Sequence, residues 1–196
     1  MKIVFIRHGM TAGNREKRYI GRTDEILCEE GILQLQRAVV AGCYPQAGLV
    51  YCSPMKRCHE TAKILYPNQQ PVTINDFREC DFGLFEGKNY LELQGDTAYQ
   101  QWIDSNGQLP FPKGEAVSVF KHRTVTVFGE VLQKLAEISW EGTAAMVVHG
   151  GTIMSILEAF CGGDYYDYHC ENGNGYVCSC QPGEKRLILE QKLNCR

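Results

Sequence analysis

No stretch of this chain is apolar for long enough to cross a bilayer. Its first apolar run is too short for a secretory signal and lacks a cleavage region. Positive charge is not in excess either. The 20 Lys and Arg stand against 23 Asp and Glu, for a net charge of −3, and no basic stripe of the kind nucleic acid requires is present. Cys-x-x-Cys pairs are missing although the chain holds ten cysteines, and no group of cysteines follows a usual zinc spacing. Repeats, low-complexity tracts and a dividing linker are also lacking. Membrane spans and nucleic-acid partners are thereby excluded, which leaves a water-soluble cytoplasmic protein whose thiols are expected to be free.

With 196 residues, 44% hydrophobic and 22% charged, the chain has the make-up of an ordinary globule and length for one domain with a sizeable core. The tightest cysteine group is His169-Cys170 with Cys178 and Cys180. Cys178 and Cys180 alternate within an expected strand, so both face one side and pack as small hydrophobes.

Strands are expected at 3–6, 49–52, 72–75, 144–148, 176–180 and 186–190. Between them, helical patterns run over 29–40, 54–65, 115–138 and 150–160. The longest places Val119, Phe120, Val127, Val131, Leu135 and Ile138 on one apolar stripe. This alternation predicts a three-layer α/β/α fold with a mostly parallel central sheet. The segment 81–113 breaks the pattern and is rich in aromatics, among them Phe82, Phe85, Tyr90, Tyr99, Trp102 and Phe111. It reads as a small cap over the carboxyl edge of the strands, built on short helices.

The chemistry-bearing residues gather at expected strand ends. The first strand runs into Arg7-His8-Gly9, delivering a guanidinium and an imidazole to the edge where open α/β sheets bind ligands. Gly9 allows a sharp turn and leaves room for an anion. The second strand leads to Ser53-Pro54, a helix cap followed by a first helical residue. Arg57 then falls in the first turn, where a cation is unfavourable unless an anion is near. The third site element repeats the first: Met146 to Val148 ends in His149-Gly150. A further segment, Phe77 to Gly87, offers Glu79, Asp81 and Glu86 as candidate acids.

In this order the motifs resemble those of the histidine phosphatase, or phosphoglycerate mutase-like, superfamily. The resemblance covers nearly the whole chain: Arg7 to Asn14, Tyr19-Ile20-Gly21, Leu27 to Gly31 with Gln34, Ser53-Pro54, Arg57, Thr61-Ala62, Glu79 to Gly87, and His149-Gly150. It implies that His8 is the nucleophile and forms a phosphohistidine. Arg7, Arg57 and His149 would surround the phosphoryl oxygens. Asn14 and the Gly150 backbone would add uncharged donors, and Ile20 and Gly21 would line the substrate. Glu79 would protonate the leaving oxygen, with Asp81 and Glu86 the alternatives. No metal or other cofactor is implied, because guanidinium groups take that place. Met10 and Ala116 depart from the family pattern, outside the chemistry.

Mutases of this type resemble one another in carrying extra basic residues in the cap. Here residues 81–113 hold only Lys88 and Lys113 against Asp81, Glu86, Glu92, Asp96 and Asp104, a poor clamp for a bisphosphate. The aromatic cap suits a planar or sugar-like leaving group. The outline is most similar to the α-ribazole phosphatase branch of cobalamin assembly. A small phosphate monoester is therefore the expected partner. A bisphosphoglycerate-dependent phosphoglycerate mutase and a catalytically silent phosphate-binding module are the alternatives. Oligomeric state is not legible.

Overall fold

In this computed structural model, which describes residues 1–181, 184 and 186–195, six strands form one sheet in the order β3-β2-β4-β1-β5-β6. The strands are β1 (Lys2–Arg7), β2 (Leu49–Cys52), β3 (Val72–Thr73), β4 (Thr143–Val148), β5 (Gly175–Ser179) and β6 (Ile188–Leu193). The helices are α1 (Ala12–Arg15), α2 (Glu29–Val40), α3 (Lys56–Leu65), α4 (Thr97–Asp104), α5 (Val117–Glu137) and α6 (Gly150–Cys161). Strands β3, β2, β4 and β1 pair in parallel, while β5 runs antiparallel to both its neighbours. The sheet is therefore mostly parallel with a mixed edge.

Alternation along each strand builds two cores. Ile3 and Phe5 of β1 and Ala144, Met146 and Val148 of β4 face α5 and α6, against Phe128, Leu135, Ile153 and Leu157. Their sequence neighbours Val4, Ile6, Ala145 and Val147 face α2 and α3, against Leu35, Ala38, Cys58 and Ala62. Strands buried on both faces are near-continuous apolar runs, which is why β1 and β4 were legible.

The buried stripe of α5 is Phe120, Thr124, Phe128, Val131, Leu132 and Leu135. Val119, expected on that stripe, is 56% exposed because the 3.6-residue period through Phe120 turns it outward, and Ile138 is 64% exposed because it lies just past the last helical residue, Glu137. The last strand starts later than expected. The third strand gives way after Thr73 to a 3-10 turn at Asn75–Phe77.

The cap packs a small core of its own, with Cys80, Phe85, Leu93 and Phe111 closing on Phe120 of α5. It holds one short α-helix, α4, capped by Asp96, whose side chain accepts from the Ala98 and Tyr99 amides, and a 3-10 turn at Gly83–Phe85.

The expectation of ten free thiols is corrected. Cys43, just past α2, and Cys195, just past β6, are joined in a disulfide with their Cα atoms 5.7 Å apart. Residues 152 apart in sequence gave no spacing signal. The remaining eight cysteines are free, and Cys178 and Cys180 lie together in the α5/α6-side core. Among the described residues no cluster of His, Cys, Asp or Glu is arranged to hold a metal ion. No helix among them is long and apolar enough to cross a membrane.

Candidate active site

The parallel register sets Arg7 of β1 opposite Val148 of β4, and each strand is followed at once by a histidine. His8 and His149 therefore arrive side by side at the carboxyl edge, their ring centroids 5.1 Å apart and their planes inclined by 68°. The chain leaves β1 toward β2 on one side and leaves β4 toward β5 on the other. This is a topological switch point, where open sheets form their crevice.

Both imidazoles are buried. His8 Nδ1 lies 2.7 Å from the Gly9 carbonyl. A carbonyl only accepts, so Nδ1 carries the proton and Nε2 keeps its lone pair. Burial, then the Arg57 and Arg7 charges, pushes the His8 pKa well below its ordinary value. The ring is neutral and nucleophilic at neutral pH. His149 is pushed down in the same way, by burial and then Arg57, and its Nε2 lies 2.7 Å from Ser53 Oγ. Ser53 thus does not cap α3 as its position suggested. The cap residue is Met55, and the helix starts at Lys56. Gly9 also serves differently from expectation: a Cβ there would stand 2.6 Å from Leu35 Cδ1, so helix packing rather than an anion fills that space.

Arg57 is 0% exposed. Its Nη1 donates to Thr23 O at 2.8 Å, and Nη2 donates to Gly21 O at 2.9 Å and Ile20 O at 3.4 Å. Ile20 and Gly21 therefore hold Arg57 through their carbonyls. Arg7 Nη1 donates to Cys170 O at 2.8 Å. After these bonds the Nε of Arg7 and the Nε of Arg57 are both buried without a partner. An unmatched buried donor costs about 1–3 kcal/mol, and an oxyanion is the kind of group that satisfies such guanidinium donors.

The three candidate acids separate clearly. Glu79 accepts the Cys80 amide at 2.9 Å and the Gly151 amide, at the start of α6, at 3.1 Å. Burial raises its pKa against the pull of those amides and of Arg57 and Arg7. Gly151 permits this approach, because a Cβ there would lie 2.5 Å from Glu79 Oε1. Asp81 instead accepts the Gly83 amide and pairs with Arg22, each at 3.0 Å. Glu86 holds the 21–23 loop, accepting from the Gly21 and Arg22 amides and the Thr23 hydroxyl. Only Glu79 of the three lines the cavity that also contains Arg7 and Gly150.

Asn14 closes a capping box on α1, its Oδ1 accepting from the Thr11 amide at 3.2 Å. The same oxygen accepts from Asn172 Nδ2 at 3.1 Å. Asn172 gave no signal beyond a turn-rich stretch in the sequence. Arg123 was equally silent inside the α5 pattern. It pairs with Glu115 at 2.7 Å and donates to the carbonyls of Asp76, Arg78 and Glu79, which fixes the segment that carries Glu79.

Above Glu79 a cavity of about 300 Å³ opens into the cap, walled by Tyr19, Phe82, Trp102, Phe111, Phe120 and Tyr165 among others. Among the described residues Arg7 is the only Arg or Lys that lines it. Lys88 and Lys113, the cap's two cations, are not among its lining residues.

A pair of neutral histidines and two buried arginines at a parallel sheet edge, near a carboxyl whose pKa is raised, are the groups that phosphoryl transfer calls for. The chain belongs to the histidine phosphatase superfamily, branch 1, whose family model matches residues 3–192. Among its relatives, phosphoserine phosphatase 1 of Hydrogenobacter thermophilus is 23% identical, over all of this chain and 93% of that one. The adenosylcobalamin/alpha-ribazole phosphatase of Escherichia coli K12 is 26% identical, over 83% of this chain and 80% of its own. The crystal structure of the alpha-ribazole phosphatase from Shigella flexneri superposes with a TM-score of 0.82 at 21% identity, covering 99% and 96% of the two chains. That likeness shows the fold.

Proposed function

We propose that the protein is a metal-independent phosphate monoester hydrolase that works through a phosphohistidine on His8. Supporting this above all is the pair of unpartnered guanidinium Nε atoms, Arg7 and Arg57, beside a neutral His8 whose Nδ1 is tethered to Gly9. His8 Nε2 attacks phosphorus, the bond to the leaving oxygen breaks, and the Glu79 carboxyl gives its proton to that oxygen. Water then attacks phosphorus, Glu79 takes the proton from the water, and the P–N bond breaks to release inorganic phosphate and free His8. Arg7, Arg57 and His149 stabilise the charge that spreads over the equatorial oxygens, while Asn14 Nδ2 and the Gly150 amide donate further.

The substrate in this reading is a small sugar- or nucleoside-like monoester, with α-ribazole 5′-phosphate the candidate. The observation favouring it is the aromatic cavity, in which Arg7 is the one Arg or Lys among the described lining residues and is assigned in this reading to the phosphoryl group. The test is a panel of monoesters, including α-ribazole phosphate, phosphoserine and the phosphoglycerates, with released phosphate measured in the presence of chelator. Acid-free quenching during turnover should trap label on His8, and His8→Ala should abolish both label and turnover. Label on His149 alone, turnover that requires a metal, or phosphoglycerate mutation outrunning hydrolysis would each overturn this reading.

A further inference from the structure

We propose that Asn172, on the turn between Cys170 and Asn174, is a positioning residue that sets the tautomer of the nucleophile and the orientation of Asn14. The inference rests on His8 being the nucleophile. Asn172 Nδ2 is ringed by three oxygens: His8 O at 3.0 Å, Asn14 Oδ1 at 3.1 Å and Gly9 O at 3.4 Å. Three acceptors identify this end of the amide as the NH₂ group. The Gly9 carbonyl is the same one that binds His8 Nδ1. Asn172 therefore steadies the acceptor that keeps the proton on Nδ1 and the lone pair on Nε2. Its bond to Asn14 Oδ1 joins that of the Thr11 amide. With both bonds on the oxygen, the Asn14 NH₂ group is the end left to donate to a phosphoryl oxygen.

The turn is braced from behind. The Gly173 amide donates to Arg7 O at 3.0 Å, and Arg7 N donates to Asn174 O at 2.9 Å. Tyr44 Oη donates to Gly173 O at 2.8 Å, and the Cys195 amide donates to Asn174 Oδ1 at 2.9 Å. Tyr44 and Cys195 are the neighbour and the partner of Cys43 in the disulfide. Asn172 thus projects from a turn fixed on its far side, which is what a positioning group requires.

The test compares Asn172→Leu, the same shape without donors, and Asn172→Asp, which sets oxygen against three oxygens. Four quantities are measured: phosphohistidine formation from p-nitrophenyl phosphate, orthovanadate affinity, thermal midpoint, and the protonation of each His8 ring nitrogen by ¹⁵N NMR. Both variants should form phosphohistidine about 10- to 100-fold more slowly and bind vanadate more weakly, with His8 no longer held as the Nδ1–H tautomer. Asn172→Leu combined with Asn14→Ala should lose less than the product of the single losses. Formation at the wild-type rate with the Nδ1–H tautomer intact in either folded variant would overturn the proposal, whatever happens to the midpoint. Absence of phosphohistidine in the wild type would instead overturn the reading of His8.

Discussion

Proton position decides most of what the site can do. His8 is held neutral by burial and by two guanidinium groups, while burial holds Glu79 above the ordinary carboxyl range. The two shifts favour the form of His8 that attacks and the form of Glu79 that gives a proton. An alkoxide leaving group needs that proton, whereas nitrophenolate hardly does. Glu79→Gln should therefore form phosphohistidine about 10²- to 10⁴-fold more slowly from an alkyl phosphate, and lose clearly less from p-nitrophenyl phosphate. The pH dependence follows with a definite sign. With an alkyl phosphate the first half-reaction should fall as pH rises through the elevated Glu79 pKa, and with p-nitrophenyl phosphate that limb should be absent. Rapid-quench measurement of both substrates across pH checks it, and equal losses on both would make Glu79 structural.

At the scale of elements, Glu79 has no regular structure of its own to stand on. It lies in an irregular segment after the Asn75–Phe77 turn, held to α5 by Arg123 and to α6 by the Gly151 amide. The Arg123 and Glu115 side chains are only 11% and 13% exposed, so removing one leaves the other charge poorly compensated. Arg123→Met should lower stability by about 3–5 kcal/mol and slow alkyl phosphate turnover by about 10- to 100-fold. Met at both 115 and 123 should recover much of the stability and little of the rate. Urea unfolding and steady-state kinetics on the three variants separate the two effects. This dependence was hidden in the sequence, where Arg123 is one more polar residue in an amphipathic helix. By contrast β1, β4 and α2 could be read in full, because burial on both faces or on one stripe writes a period into the chain. His8, Arg57 and His149 were legible because each follows such an element, whereas Asn172 and Ser53 act through tertiary contacts that no period records.

For the molecule as a whole, the Cys43–Cys195 bond joins the segment after α2 to the segment after β6. A crosslink over 152 residues restricts the unfolded chain by about 5 kcal/mol in the loop-entropy treatment. Alkylation of the unfolded protein without reductant should therefore modify eight cysteines, and ten after reduction. Intact mass reads the difference directly, and ten without reductant would show the bond absent. Reduction should also lower the thermal midpoint.

Strand β1 is the first element of the chain, yet it lies inside the sheet between β4 and β5. Its partners are Thr143–Val148 and Gly175–Ser179, more than a hundred residues later. During synthesis the segment carrying His8 leaves the ribosome long before either neighbour exists. Until then its apolar run is an unpaired edge, open to aggregation. Contacts this distant in sequence close slowly, so the edge that pairs His8 with His149 is among the last features to form, and nascent chains lacking residues 143–179 are without it.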